Sequence, residues 1–302
     1  MPKYLLALLS ILLSIRVFAA DPSPAAHGLL LDATVVGHSV IAVGERGRIL
    51  RSTDAGRSWE LLPSPIETTL TGISFADAQC GWAVGHDGTI LNTRDSGLSW
   101  TQQHSDKTIS FLDVFAIDLR KVCAIGAFGL FYFSEDGGTT WTPRQAIEQD
   151  MHLNRITSTG NNTCYVAGER GTLLRFSTAN FSFTPTPTDY DGSFFGVLAL
   201  DHGGLLAYGL RGRLYRSEGP DVEWKPIKLE RPALILTAVK LKSGTIVLAG
   251  QARAFFISKD NGLTFQAWEP GLTTAVAELL ETPDGSLLAF GEAGATRLPT
   301  PE

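Results

Sequence analysis

The chain has 302 residues, with 25 Lys and Arg against 31 Asp and Glu, a formal net charge of −6 and 44% hydrophobic residues. This composition supplies enough apolar material for a large core and excludes a disordered chain. The acidic balance argues against a nucleic-acid partner.

The first twenty residues have the pattern of a secretory signal peptide. Lys3 gives a positive start, residues 4–15 form an apolar run broken by Arg16, and Ala19 and Ala20 are small enough for cleavage. An uncleaved membrane anchor is the alternative, but the run is shorter than the ~20 residues that span a bilayer. We predict that residues 1–20 are removed on export to the periplasm or beyond. The mature chain would have no transmembrane segment.

A repeat of about 41 residues runs through the remaining sequence. A glycine ends an apolar run in each of seven units: Gly44, Gly85, Gly126, Gly168, Gly209, Gly250 and Gly291. An apolar residue lies fifteen positions before each of these marker glycines, from Leu29 in the first unit to Val276 in the last. Fifteen positions after six of them lies an aromatic residue: Trp59, Trp100, Trp141, Phe183, Trp224 and Phe265.

Each unit reads as four short strands separated by turn residues, and no stretch has a sustained helical period. In the second unit the predicted strands are Leu70–Phe75, Gly81–Val84, Thr89–Thr93 and Ser99–Gln102. Four strands and this period are typical of a propeller blade. The sequence therefore predicts an all-β fold, a single seven-bladed β-propeller over residues 21–302.

The seventh unit has room for only three strands before the chain ends at Glu302. An open strand edge favours pairing with other chains, so propellers usually complete or protect it. One hypothesis is that Ala25–Leu30 supplies the outer strand of the last blade. An unfilled three-stranded blade is the alternative.

A turn motif of the form Ser/Thr-x-Asp-x-Gly-x-Ser/Thr-Trp/Phe recurs between the third and fourth strands of four units. Its aspartates are Asp54, Asp95, Asp136 and Asp260. An Asp carboxylate can accept backbone N–H bonds within such a turn, and Gly supplies a positive φ. This motif is the Asp-box, or BNR repeat, which also occurs in sialidases and other glycosidases. Because four units carry the same residue, we assign these aspartates a structural role.

The second unit, Gly81-Trp-Ala-Val-Gly-His-Asp-Gly-Thr-Ile-Leu-Asn-Thr-Arg-Asp-Ser-Gly-Leu-Ser-Trp100, closely resembles the repeat of the photosystem II stability/assembly factor family. The resemblance covers roughly residues 29–298 and is best in the first three units. It implies a seven-bladed propeller in the thylakoid lumen or bacterial periplasm. Such a protein would have no catalytic centre and would bind a membrane-complex or envelope protein to aid its assembly. Photosynthesis itself is not implied, and we expect a monomer.

The turn between the second and third strands is predicted to lie on the face opposite the Asp-box turn, together with the connectors between blades. Arginines recur in or just after these turns: Arg46, Arg48, Arg170, Arg211, Arg213 and Arg253. The planar guanidinium holds carboxylates bidentately, and Arg is enriched at binding hot spots. The resemblance implies an arginine-rich partner surface, and these residues are the candidates. Solvated turn residues, some paired with Glu45 and Glu169, are the alternative.

The innermost strands carry polar residues thirteen positions before the marker glycines, among them Asp113, Arg155 and Glu278. One hypothesis is that these three hold a small polar ligand at the channel mouth, and an internal ion-pair ring is the other. Asp113 and Glu278 are also the one carboxylate pair that we nominate for the alternative function, a sialidase-like glycosidase or carbohydrate-binding propeller.

The sequence predicts no catalytic constellation, no metal site and no cofactor, because no metal-ligand spacing or nucleophile–base pattern is visible. Cys80, Cys123 and Cys164 lie in apolar strand-like stretches. We therefore predict buried, inert thiols.

Overall fold

The computed structural model describes residues 27–160 and 162–301. The predicted signal peptide, residues 1–20, lies outside the described residues. Within them, the chain forms 27 strands and four short 3-10 turns at Glu45–Gly47, Ala127–Gly129, Asp201–Gly203 and Leu210–Gly212. No helix in these two ranges is long and apolar enough to cross a membrane.

The first four blades each have four strands, as predicted. Blade 1 comprises β1 (Leu30–Val36), β2 (Ser39–Gly44), β3 (Ile49–Ser52) and β4 (Glu60–Leu62). Blade 2 comprises β5 (Leu70–Phe75), β6 (Gly81–Gly85), β7 (Ile90–Thr93) and β8 (Thr101–His104). Blade 3 comprises β9 (Phe111–Ala116), β10 (Val122–Gly126), β11 (Leu130–Ser134) and β12 (Thr142–Gln145). Blade 4 comprises β13 (Leu153–Gly160), β14 (Thr163–Gly168), β15 (Leu173–Ser177) and β16 (Ser182–Pro185).

The remaining three blades complete the ring. Blade 5 comprises β17 (Phe194–Ala199), β18 (Leu205–Gly209), β19 (Arg213–Ser217) and β20 (Lys225–Lys228). Blade 6 comprises β21 (Ile235–Lys240), β22 (Ile246–Gly250), β23 (Phe255–Ser258) and β24 (Gln266–Ala267). Blade 7 comprises β25 (Val276–Glu281), β26 (Leu287–Gly291) and β27 (Gly294–Leu298). All pairings are antiparallel between sequential strands, so the predicted seven-bladed all-β propeller is confirmed.

The core lies between the blades. One apolar cluster fills each interface, and the cluster between blades 7 and 1 joins Trp59 to Phe290 with their ring centroids 5.7 Å apart. The first strand of each blade contacts the first strand of the next, and β1 contacts β25, which closes the ring. Cys80, Cys123 and Cys164 are buried and unpaired within these clusters, as predicted.

The seventh blade has three strands among the described residues. Leu30 does not lie in an outer strand, because it opens β1 and pairs with Gly44. Ala25 and Ala26 lie outside the described residues. Residues 27–29 lie in no strand, so the predicted outer strand Ala25–Leu30 is wrong over its described part.

The marker glycines are explained by close backbone approach. Each inner strand has a bulge opposite the glycine, as between Phe111 and Asp113 facing Gly126. A Cβ on Gly126 would lie 2.1 Å from the Ser110 carbonyl oxygen, and a Cβ on Gly44 would lie 2.0 Å from that of Leu29. That carbonyl accepts the N–H of the residue after the glycine, as Ala127 shows at 3.0 Å. A side chain at the marker position would force these two strands apart.

The first blade departs from the repeat by one residue. Its bulge lies at Leu31, so Leu30 pairs with Gly44 and Asp32 pairs with Val43. In the other blades, the partners of the marker glycine and of the residue before it lie fifteen and thirteen positions before that glycine. This spacing predicted Leu29 and Leu31 as the partners in blade 1, which is wrong. Asp32 therefore occupies in blade 1 the position that Asp113 occupies in blade 3.

We predict that Gly126→Ala lowers the free energy of unfolding by about 2 kcal/mol, because the added methyl group overlaps backbone that cannot easily move. Urea denaturation followed by tryptophan fluorescence measures the change. Gly219→Ala is the matched control, since its Cβ would meet only Val222 Cγ2, at 3.6 Å. Equal stability of the two variants would contradict the close-approach explanation.

Candidate functional site

The propeller has two distinct faces. The turns between second and third strands pack on the connectors that lead to the next blade: Gly88 N donates to Ile109 O at 2.9 Å, and Gly171 N donates to Gly192 O at 2.6 Å. We call this side the connector face. The Asp-box turns lie on the other side with the turns between first and second strands, where Arg57 of blade 1 approaches Asp284 of blade 7 at 3.8 Å.

The Asp-box aspartates are engaged within their own turns. In blade 1, Asp54 Oδ1 accepts the backbone N–H of Ser58 at 2.9 Å and the Ser52 hydroxyl at 2.8 Å. Equivalent bonds form around Asp95, Asp136 and Asp260. Hydrogen bonds from Thr140 and Ser134 lower the pKa of Asp136 to about 2. These contacts are those of a structural turn.

The candidate arginines lie on the connector face. Arg46, Arg170 and Arg211 are exposed and occupy the same position of their turns, with φ angles of 54°, 51° and 59°. Arg253 lies one position further, at φ 60°. The left-handed backbone lets the chain reverse within four residues and points these side chains to solvent. Arg48 is half-buried beside the first of these turns.

Three of the predicted arginines line one cleft of about 630 Å³ between blades 4 and 5. Arg170 contributes from blade 4, and Arg211 and Arg213 contribute from blade 5. Acidic residues share the cleft: Glu169, Asp189 and Asp191. Burial and a hydrogen bond with Asp189 raise the pKa of Tyr215, also in the lining, to about 12. The first cleft is therefore mixed in charge.

A second cleft of about 600 Å³ begins on the other side of Arg211 and Arg213. It adds Lys228 and Arg231 against the single acidic residue Glu230, so four basic side chains face one carboxylate. Its apolar lining comes from Pro226, Ile227, Leu229 and Pro232. The guanidinium of Arg231 lies 5.4 Å from the Phe256 ring centroid and donates to Arg253 O at 2.8 Å, which fixes its position.

The structure thus gathers some of the predicted arginines and separates others. Arg170, Arg211 and Arg213 line adjoining clefts. The carbonyl of Arg253 accepts a hydrogen bond from Arg231 of the second cleft. Arg46 and Arg48 lie apart from these clefts, on blade 1. Lys228 and Arg231, which lie in and just after outer strand β20, were not predicted from the sequence. The basic segment from Lys225 to Arg231 was a signal for them.

The inner strands bring the three channel residues together with Asp32. Arg155 Nη1 lies 2.7 Å from Glu278 Oε2, and Arg155 Nη2 lies 3.6 Å from Asp32 Oδ1. Asp113 accepts the N–H groups of Ile156 at 2.7 Å and Val114 at 2.8 Å. All three carboxylates are buried, and together they outnumber the one guanidinium.

Burial raises the pKa of Asp113 and of Glu278 to about 7, although Arg155 lowers both in part. Burial also raises the pKa of Asp32. These hydrogen bonds and the Arg155–Glu278 ion pair fit the hypothesis of an internal ion-pair ring better than that of a ligand site. Two catalytic carboxylates of a glycosidase would instead flank a sugar-sized space. Asp113 and Glu278 point at backbone N–H groups and at Arg155 of the same chain.

Comparisons with known proteins agree with the repeat motif. Residues 51–114 match the family model described as photosynthesis system II assembly factor YCF48, so the resemblance seen in the sequence is confirmed on that segment. Comparison with curated protein sequences gave no significant match.

Solved structures show the same fold at low sequence identity. A structure of YCF48 bound to D1 peptide is 20% identical, with a TM-score of 0.76 over 91% of this chain and 94% of the other. YCF48 from Cyanidioschyzon merolae is 14% identical, with a TM-score of 0.72 over 90% and 96%. The WD40 propeller domain of Doa1 is 13% identical, with a TM-score of 0.70 over 91% and 94%. The chain is therefore assembly factor-like in its repeat and shares a general propeller fold.

We predict that the channel cluster makes stability fall as the pH rises from about 5 to about 7.5. Because the pKa of Glu278 is raised to about 7 in the folded state, the folded chain binds more protons than the unfolded chain over this range, and deprotonation favours unfolding. Glu278→Gln should lessen the fall in melting temperature measured by calorimetry. Glu148→Gln, at an exposed site, is the control. Parallel pH profiles for Glu278→Gln and wild type would contradict this role.

Proposed function

We propose that this chain is a non-catalytic, exported propeller that binds a membrane-complex or envelope protein on its connector face and aids its assembly or stability. The observation that carries the proposal is the pair of adjoining clefts that share Arg211 and Arg213.

The clefts suit an acidic protein segment. Guanidinium groups bind carboxylates through paired hydrogen bonds, and they do so at lower cost when their positions are fixed in advance. Arg231 is fixed by its contact with Phe256 and its bond to Arg253 O. The apolar lining beside it offers contact area for the stems of bound side chains. A chain with net charge −6 that keeps four basic groups in one cleft has a local field opposite to its overall charge.

Two further observations support the cellular part of the proposal. The sequence of residues 1–20 has the pattern of an export signal. Residues 51–114 match an assembly factor family model, and one structurally similar protein is YCF48 bound to D1 peptide. A protein segment is therefore the partner class that we assign to the clefts. In a photosynthetic host the compartment would be the thylakoid lumen, and elsewhere it would be the periplasm.

We predict that Arg170→Glu/Arg211→Glu reduces recovery of the partner at least tenfold, because both reversals place carboxylates where the partner's acidic groups bind. In-cell crosslinking of the tagged protein, followed by mass spectrometry of the envelope fraction, identifies and quantifies the partner. The expected result is one membrane protein that is recovered with wild type and lost with this variant.

Arg94→Glu/Lys259→Glu is the matched control. It makes the same change in net charge at exposed second positions of two Asp-boxes, on the opposite face. Equal loss with both double variants would show a general charge effect and contradict the cleft assignment. Recovery of oligosaccharide in place of any protein would instead favour the carbohydrate-binding alternative.

A further inference from the structure

Phe128 is a large apolar side chain exposed on the connector face, with 58% of its surface accessible. The other large hydrophobic residues exposed among residues 27–160 and 162–301 lie on outer strand β4 or in Asp-box-side turns: Leu61, Leu98, Leu119, Val222 and Leu263. Single exposed apolar residues are ordinary. The backbone and the neighbours of Phe128 are what distinguish it.

The backbone of Phe128 is left-handed, with φ 58° and ψ 38°. A bulky residue in this region is uncommon and costs roughly 1–2 kcal/mol relative to glycine. The same turn position holds Arg46, Arg170 and Arg211 in other blades and Asp87 in blade 2. Blade 3 therefore presents an aromatic ring at the position where other blades present charges.

Hydrogen bonds hold the turn that carries the ring, and the ring itself packs against His152. Its centroid lies 5.2 Å from that of His152, in an edge-to-face arrangement. The Phe128 carbonyl accepts Gln145 Nε2 at 2.7 Å, and Gly129 N donates to Met151 O at 2.6 Å. A ring that is already ordered loses little conformational entropy when a partner covers it.

The ring is connected to the first arginine cleft through His152. The backbone N–H of His152 donates to Glu169 Oε2 at 2.9 Å, and its Nδ1 lies 3.8 Å from Glu169 Oε1. Glu169 and Arg170 then form the near wall of the first cleft. An extended peptide whose carboxylate binds Arg170 could continue towards blade 3 and place an apolar side chain on Phe128.

We propose that Phe128, positioned by His152, is an apolar anchor of the docking surface and selects protein segments in which an apolar side chain lies close to acidic residues. This inference rests on the proposed function and adds specificity to it. Charge alone would admit any acidic segment, whereas an exposed ring on the blade next to Arg170 favours those that also bury an apolar side chain.

Two fluorescein-labelled peptides of equal length and charge test the inference by fluorescence anisotropy. Glu-Asp-Glu-Gly-Ser-Leu-Phe carries the apolar pair, and Glu-Asp-Glu-Gly-Ser-Ser-Ser does not. We expect wild type to bind the first about tenfold more tightly. Phe128→Asn should abolish this preference and leave affinity for the second peptide unchanged. Asparagine tolerates the left-handed backbone, so folding is preserved. Leu119→Asn, at an equally exposed site on the other face, should retain the preference.

Each result decides between the two proposals. A preference that survives Phe128→Asn, or equal affinity of the two peptides for wild type, would overturn the anchor while the cleft assignment stands. Binding of both peptides that is unaffected by Arg170→Glu/Arg211→Glu would overturn the cleft assignment. Absence of binding to wild type would count against both.

Discussion

The fold depends on how the free edge of each innermost strand is satisfied. These strands have no sheet neighbour on the channel side, so their N–H groups need other acceptors. Asp32 of blade 1 accepts Ile73 N of blade 2 at 2.8 Å, and Asp113 of blade 3 accepts Ile156 N of blade 4 at 2.7 Å. Thr237 Oγ1 of blade 6 does the same for Leu279 N at 3.2 Å. The same bonds that satisfy the backbone also fix one blade against the next.

Carboxylates used as acceptors in a buried channel bring charge with them, and Arg155 is the compensating group. It pairs with Glu278 at 2.7 Å and approaches Asp32 at 3.6 Å. Breaking a buried ion pair by removing one partner is strongly destabilising, because the other charge is left uncompensated. Asp32, Arg155 and Glu278 thus connect blades 1, 4 and 7 across the channel. The arginines that we propose for partner binding lie instead on the turns of the connector face.

The sequence predicted the parts of the molecule that repeat. Marker glycines and Asp-boxes recur because each blade meets the same steric and hydrogen-bonding demands, so the seven blades and the two faces followed from spacing alone. Asp32 was missed because blade 1 is one residue short before its marker glycine. Lys228 and Arg231 were missed because the aromatic column at the outer strands does not specify the polar residues that follow it. The link from Phe128 to Glu169 needed coordinates, since it runs through His152 on the connector between blades 3 and 4.

The connector face presents different side chains on one repeated backbone. The marker glycine and the left-handed residue two positions later set where the side chain emerges, and the sequence then supplies arginine, aspartate or phenylalanine there. Basic groups concentrate around blades 4 to 6, on a chain that is acidic overall. The acidic partner that we propose would be attracted to this sector, which would orient the encounter before any contact forms. In the proposed docking surface, the exposed ring of Phe128 would add an apolar contact to the charged ones.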